Sequence, residues 1–272
     1  MKRIYVNLKR FDVPAAAGGV NRLAPVADWA GTIMGGVARG LAEVRDAQVV
    51  FFFPEAHLLN AVAARPDGVQ VGCQGVFWDD VAPGGNFGAF TTGRPAAAAA
   101  ALGCTQVLIG HCEERRALRQ VVERSGGDPA AVNTLLNQAI RCAQNQGLSV
   151  LYCIGESAEE QGDWQAVLAA QLTAGLDGVT QPVTIAYEPV WAIGPGKTPP
   201  DRAYIQMVAT YIHDVVGDIP VVYGGGLKLD NAAMLASIPQ IEGGLIALTR
   251  FSGEIGFYCD EFLAIVHEYL GE

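Results

Sequence analysis

Short apolar runs alternate with helix-length segments along the whole chain, and this alternation constrains the fold more than any other feature. Eight runs rich in β-branched and aromatic residues occur at 4–6, 49–53, 69–73, 106–109, 150–154, 183–187, 221–223 and 245–248. Several of these runs are apolar throughout, which is typical of parallel strands covered on both faces. The pattern therefore predicts eight parallel strands.

Segments of helical length separate these strands. They include 26–44, 95–102, 129–144, 164–176 and 201–215, and two of them begin where a polar residue adjoins proline, as helix starts do. No change of composition or linker interrupts the order, so residues 1–272 are predicted to form one (β/α)8 barrel domain. An open doubly wound sheet is the alternative, and the absence of a GxGxxG turn after the first strand argues against it.

Composition limits the partners that such a barrel can have. The 272 residues include 18 Lys and Arg against 28 Asp and Glu, a formal net charge of −10, so the average field repels nucleic acid and anionic membranes. An anionic ligand must then be held by local donors. The six cysteines form no CxxC pair, and neither a secretory segment nor an apolar run of about 18 residues occurs, which predicts a cytoplasmic protein with reduced thiols.

Polar residues cluster directly after the predicted strands. Asn7 and Lys9 follow the first strand, His111 the fourth, Glu188 the sixth and the glycines 224–226 the seventh. In a (β/α)8 barrel the carboxyl ends of all strands meet on one rim, where active sites lie. These residues are therefore predicted to converge on one catalytic site.

Two longer motifs connect this arrangement to a known family. Residues 109–113 read Ile-Gly-His-Cys-Glu and residues 186–194 read Ala-Tyr-Glu-Pro-Val-Trp-Ala-Ile-Gly, and shorter matches occur at 7–9, 153–156 and 223–225. In order and spacing the chain resembles the triosephosphate isomerase family. The resemblance implies a TIM barrel that interconverts dihydroxyacetone phosphate and D-glyceraldehyde 3-phosphate, a reaction of glycolysis and gluconeogenesis. It also implies that no metal or organic cofactor is needed and that the protein is a homodimer formed through the loop after the third strand.

The resemblance assigns roles to four of the rim residues. Glu188, flanked by apolar residues and proline, is the base that moves a proton between neighbouring carbons of the substrate. His111 is the neutral electrophile that polarises the substrate carbonyl. Lys9 neutralises the substrate phosphate and the developing enediolate charge, and Asn7 orients Lys9 or donates to a substrate oxygen. Glu113 corresponds to a family glutamate near that lysine, but it is equally well explained as a charge at a helix N-terminus.

Glycines are predicted to hold the phosphate. Residues 189–198 read as a lid that contains Gly194 and has Pro195 at its tip, and such a lid would exclude water from the intermediate. Gly224, Gly225 and Gly226 would let backbone N–H groups approach the phosphate closely, although a tight turn between strand and helix would use the same glycines.

The chain departs from the family pattern mainly around this phosphate. Cys112 and Gly226 each stand where the family has serine, and Ala247 and Leu248 stand where two glycines donate N–H groups. Side chains at these two positions would crowd a phosphate that approaches the backbone. Either Arg250 supplies a charge-assisted clamp instead or the site has shifted.

These departures leave two alternatives to triose isomerisation. The same chemistry on another small sugar phosphate, such as a tetrulose phosphate, would suit an altered phosphate site. A non-catalytic barrel used for binding would explain Gly226, Ala247 and Leu248, but it would not explain why Asn7, Lys9, His111 and Glu188 are all present.

Overall fold

Eight parallel strands close into a barrel in which each strand pairs with the next and the first pairs with the last. The computed structural model describes residues 1–194 and 196–272. The strands are β1 (Lys2–Asn7), β2 (Ala47–Phe53), β3 (Val69–Cys73), β4 (Gln106–Ile109), β5 (Ser149–Ile154), β6 (Val183–Tyr187), β7 (Val221–Tyr223) and β8 (Gly243–Ile246). The predicted (β/α)8 barrel is confirmed, and the open doubly wound sheet is wrong.

Helices follow the strands and cover the outside of the barrel. Within the described residues they are α1 (Trp29–Leu41), α2 (Leu58–Ala64), α3 (Ala96–Ala101), α4 (Cys112–Arg124), α5 (Ala131–Asn145), α6 (Trp164–Gly175), α7 (Arg202–Val216), α8 (Ala232–Ala236) and α9 (Cys259–Leu270). The helical segment predicted at 26–44 begins with a 3₁₀ turn at Val26–Asp28, and its α-helix ends at Leu41.

Two apolar layers explain why the strands carry no alternating pattern. One cluster fills the barrel interior and includes Tyr5, Phe52, Leu108, Leu151 and Val222. The other and larger cluster lies between the strands and the surrounding helices. Because each strand contributes to both layers, apolar residues are favoured at successive positions.

The eighth strand lies two residues earlier than the sequence predicts. The apolar run 245–248 suggested a strand there, whereas β8 begins at Gly243 and ends at Ile246. A methyl group at Gly243 would collide with the backbone oxygen of Arg3, and one at Gly244 would lie 2.7 Å from Cβ of Leu227. Close approach of the neighbouring chain therefore requires glycine inside this strand.

Among the residues that the structure describes, no helix is both long enough and apolar enough to cross a membrane.

Candidate active site

Glu188 is the first residue after β6 and is almost completely buried at the carboxyl end of the barrel, with 1% of its surface exposed. Its backbone N–H donates to the Ile154 oxygen of β5 at 2.8 Å. Gly155 and Gly224 lie directly against it: a methyl group on Gly155 would collide with the Glu188 backbone, and one on Gly224 would lie 2.8 Å from Cγ of Glu188. The neighbouring strands thus fix both the backbone and the side chain of this glutamate.

His111 caps the N-terminus of α4 with its own side chain. Its Nδ1 accepts a hydrogen bond of 3.3 Å from the backbone N–H of Glu113. A nitrogen that accepts cannot carry a proton, so this bond assigns the neutral tautomer with hydrogen on Nε2. That Nε2 lies 3.3 Å from Oε1 of Glu188. The neutral imidazole implied by the family resemblance is therefore compatible with the hydrogen bonds of this chain.

Cys112 contacts the same glutamate from the start of α4. Its backbone N–H donates to Oε2 of Glu188 at 2.9 Å. Burial, reinforced by the charge of Glu188, raises the pKa of the Cys112 thiol far above its ordinary value. The thiol therefore stays protonated at neutral pH and is a poor nucleophile.

His111, Cys112 and Glu188 also have the residue types of a metal site. One ligand atom from each lies within 4.8 Å of the other two, and no other such group of three occurs in residues 1–194 and 196–272. A metal would need the Cys112 thiol to lose its proton. It would also need a free lone pair on Nε2, which carries the proton while Nδ1 accepts from the helix. The donor set fits proton transfer better than it fits a metal.

Asn7 and Lys9 lie at the end of β1, where a tight turn presents the lysine. Asn7 is 3% exposed, and its Oδ1 accepts from the backbone N–H of Lys9 at 3.0 Å. Lys9 has a positive φ of 42°, a conformation that non-glycine residues rarely adopt. Its Nζ lies 2.8 Å from Oε1 of Glu113, which is itself in the first turn of α4. Glu113 therefore both lies against Lys9 and places a negative charge at the N-terminus of α4.

Gln74 is a member of the site that the sequence analysis missed. The two hydrogens on its Nε2 are shared among three acceptors: Oδ1 of Asn7 at 3.2 Å, the backbone oxygen of Lys9 at 3.0 Å and that of Phe52 at 3.2 Å. These bonds hold the turn that carries Lys9. The available signal was position, because Gln74 directly follows β3 just as the predicted site residues follow their strands.

The predicted lid begins against a second buried carboxylate. Oε1 of Glu156 accepts from the Trp191 indole at 2.7 Å and from the Tyr187 hydroxyl at 2.9 Å. Burial raises the pKa of Glu156, although these hydrogen bonds act in the opposite direction. Gly194 has a φ of 121°, a backbone conformation that favours glycine. Pro195, the predicted lid tip, lies outside the described residues.

The glycine turn after β7 leaves backbone donors free. The N–H of Gly224 donates to the Tyr187 oxygen at 2.7 Å, whereas those of Gly225 and Gly226 make no hydrogen bond to the described part of the chain. Gly226 has a φ of 101°. Two adjacent free N–H groups on the rim are what an anion needs.

The segment after β8 does not support the role predicted for Arg250. The guanidinium donates to Oε1 of Glu261 at 2.7 Å and lies 3.8 Å from the centre of the Tyr258 ring. Arg250 thus pairs with α9 instead of extending freely over the rim. Ala247 and Leu248 are half-buried where the family pattern has glycines, and their N–H groups donate to no acceptor in the described residues.

A cavity of about 410 Å³ opens beside the end of β1 and the start of α4. Asn7, Lys9, Gln74, His111 and Glu113 contribute to its lining. A small polar molecule placed there would contact the ammonium of Lys9 and the imidazole of His111. The site can therefore polarise a carbonyl, stabilise negative charge and move a proton.

Comparison with known proteins yields one family. A family model described as "Triosephosphate isomerase" matches residues 28–268. Curated relatives with the same description include those of Alcanivorax borkumensis, 34% identical over 80% of this chain and 85% of the relative, and Marinobacter nauticus, 32% identical over 87% and 90%. The relative from Pelodictyon phaeoclathratiforme is 35% identical over 66% and 70%.

A solved structure matches the fold over nearly the whole length. The triosephosphate isomerase from Bartonella henselae superposes with a TM-score of 0.73 and covers 99% of both chains at 24% sequence identity. At that identity the match supports the barrel and carries no argument about the chemistry.

Proposed function

The chain belongs to the triosephosphate isomerase family, and on this premise we propose that Glu188, His111, Lys9 and Asn7 interconvert dihydroxyacetone phosphate and D-glyceraldehyde 3-phosphate. The observation that carries the proposal is the contact of 3.3 Å between Nε2 of His111 and the buried carboxylate of Glu188. This contact brings a hydrogen-bond donor and a base to one point on the rim.

Glu188 supplies the proton transfer. Its carboxylate removes a proton from the carbon next to the substrate carbonyl and returns it to the neighbouring carbon after the double bond has shifted. The N–H of Cys112 at Oε2 and the backbone bond to Ile154 hold the carboxylate in place. Fixing the base in this way favours the reaction because less orientational freedom is lost at the transition state.

His111 and Lys9 stabilise the charge that this transfer creates. The Nε2–H of His111 donates to the carbonyl oxygen as it becomes an enediolate, and the Lys9 ammonium adds a positive charge to the same region. Asn7 orients Lys9, since its Oδ1 holds the lysine N–H. All three are placed before substrate arrives, so little reorganisation accompanies the reaction.

The phosphate lies against backbone donors. The free N–H groups of Gly225 and Gly226 support this placement, with Gly224 bracing the turn and Gly194 belonging to the closing lid. Arg250 is left out of this part of the proposal because it pairs with Glu261.

A second copy of the chain is the proposed partner, and the cytoplasm is the proposed location. The loop after β3 carries Phe87 at 89% exposure and Trp78 at 36%. Apolar rings this exposed are typical of a surface that another subunit covers. The family resemblance, which implies a homodimer through this loop, points to the same surface.

A coupled isomerase assay tests the function. The purified chain is expected to turn over triose phosphate with a higher kcat/KM than a tetrulose phosphate, in line with its curated relatives. A higher value for the tetrulose phosphate would reassign the substrate. Absence of turnover on both, together with no rise in melting temperature in millimolar phosphoglycolate, would contradict the proposal, because a ligand that binds the folded state raises its stability.

A further inference from the structure

Lys228 occupies the part of the rim where the chain departs most from its family. It follows the glycine turn after β7, and its Cε lies 3.6 Å from the point where a Cβ of Gly226 would be. The Lys228 Nζ lies 4.3 Å from the centre of the Phe251 ring, which belongs to the segment after β8. The lysine side chain therefore bridges the glycine turn after β7 and the segment after β8.

The charge of Lys228 is not neutralised by a neighbour. No carboxylate of residues 1–194 or 196–272 lies within 4.0 Å of its nitrogen. Arg250, in the segment after β8, is bound instead to Glu261 at 2.6 Å. The Phe251 ring is 50% exposed, and a cation resting on an exposed ring is weakly held. Lys228 can therefore leave the ring for an anion without breaking an ion pair.

The backbone that carries Lys228 is fixed in place. The backbone N–H of Lys228 donates to Oδ1 of Asn231 at 2.8 Å. Nδ2 of Asn231 donates in turn to the backbone oxygen of Gly226 at 3.0 Å. Only the flexible part of the lysine side chain has to move. A Cβ at position 226 would make only ordinary van der Waals contact with the lysine stem, so the stem is not tightly packed against the turn.

Resting on the isomerase activity proposed above, we propose that Lys228 binds the phosphate dianion of the substrate. It supplies a charge where Gly226 lacks a hydroxyl and where Ala247 and Leu248 restrict approach to the backbone. The phosphate lies between the Lys228 ammonium and the N–H groups of Gly225 and Gly226. In a chain of net charge −10, this cation is the local donor that the composition requires.

Lys228→Met tests the assignment, with Arg250→Met as the matched control. Loss of a hydrogen bond to a charged group predicts a drop in kcat/KM for triose phosphate, and a weakening of inhibition by inorganic phosphate, of roughly 10- to 100-fold each. In Arg250→Met, both the kcat/KM for triose phosphate and the inhibition by inorganic phosphate are expected to stay within about twofold of the wild-type values. Exchange of the α-proton of D-glyceraldehyde, which carries no phosphate, is expected to be unchanged in both variants. Lys228→Arg is expected to restore part of the loss, since it keeps the charge.

The outcomes separate this assignment from the isomerase itself. Suppose that the wild type is active and that Lys228→Met has the same kcat/KM and the same inhibition by phosphate as the wild type. That result would overturn the role of Lys228 and leave the isomerase activity unaffected. Equal losses with glyceraldehyde and with triose phosphate would also overturn it, because the lysine would then act on the reacting carbons or on the fold. A wild type without isomerase activity that still loses phosphate binding in Lys228→Met would refute the proposed function but not the phosphate site.

Discussion

Nε2 of His111 and Oε1 of Glu188 lie 3.3 Å apart at the carboxyl end of the barrel. Each is held independently of the other. The His111 ring is fixed by the N–H of Glu113, and the Glu188 carboxylate by the N–H of Cys112. The start of α4 therefore orients both side chains, which the proposed reaction uses as electrophile and base.

His111→Gln is predicted to lower kcat by roughly 10²- to 10³-fold, because a donor aimed at the developing oxyanion is lost. The variant also loses the side-chain cap of α4, which costs about 1 kcal/mol of stability. Steady-state kinetics and thermal unfolding measure the two effects separately. Cys112→Ser is the control, since it keeps the N–H that Glu188 accepts, and its kcat is expected to stay near that of the wild type. A comparable loss in both variants would refute the assignment of His111.

Lys9→Met is predicted to lower kcat/KM by at least about 10²-fold through loss of the charge near the enediolate. Its melting temperature is expected to change little, because the pair with Glu113 is partly exposed and such pairs contribute about 0–1 kcal/mol. Glu113→Gln removes the same pair and keeps the lysine. If Glu113→Gln loses as much activity as Lys9→Met, then activity depends on the ion pair between Lys9 and Glu113, and the charge of Lys9 alone does not support it.

Glu156→Gln is predicted to gain stability relative to the wild type as pH rises. Burial raises the pKa of Glu156 above its usual 4.5, so between pH 4.5 and the raised value the folded state binds more protons than the unfolded state. The stability of the wild type therefore falls as pH rises through that window. Glutamine carries no charge and keeps an oxygen for Trp191 and Tyr187. Melting temperatures of both proteins from pH 4.5 to pH 8 test this, and a constant difference between them would contradict it.

If the proposed dimer forms through the loop after β3, Phe87→Asp is predicted to convert it to a monomer at micromolar concentration, because a charge would be buried in the proposed interface. Sedimentation velocity reports the change. Met207→Asp is the control, since Met207 is 45% exposed on α7, across the barrel from the loop after β3. A dimer that survives Phe87→Asp, or one disrupted equally by both substitutions, would place the interface elsewhere.

The sequence predicted the strand order and most strand boundaries because the β-branched runs match the buried segments. The runs at 183–187 and 221–223 coincide with β6 and β7. The error at β8 has a physical cause: Gly243 and Gly244 have low strand propensity, but a Cβ would collide with the Arg3 backbone at the first and with the Leu227 side chain at the second. These requirements come from β1 and from the turn after β7, and both are absent from the local pattern.

The sequence indicates candidate site residues that lie at strand ends. It does not indicate side-chain pairs that form only when distant segments pack together. Asn7, His111 and Glu188 remain predicted site residues; each lies at or just after the end of a strand, which is the feature that the sequence reveals. The pairing of Arg250 with Glu261 depends on how α9 docks, so no local spacing indicates it. The position of Lys228 over Phe251 likewise depends on how the segments after β7 and β8 pack, so the sequence does not indicate it.

The turnover of Glu188→Gln shows whether Glu188 is the base. Glutamine keeps the size and the hydrogen-bonding oxygen of glutamate but cannot accept a proton, so the coupled assay with triose phosphate should show kcat reduced by roughly 10²- to 10⁴-fold, with an unchanged circular dichroism spectrum and unchanged phosphoglycolate binding. A folded variant that turns over triose phosphate at nearly the wild-type rate would show that Glu188 is not the base.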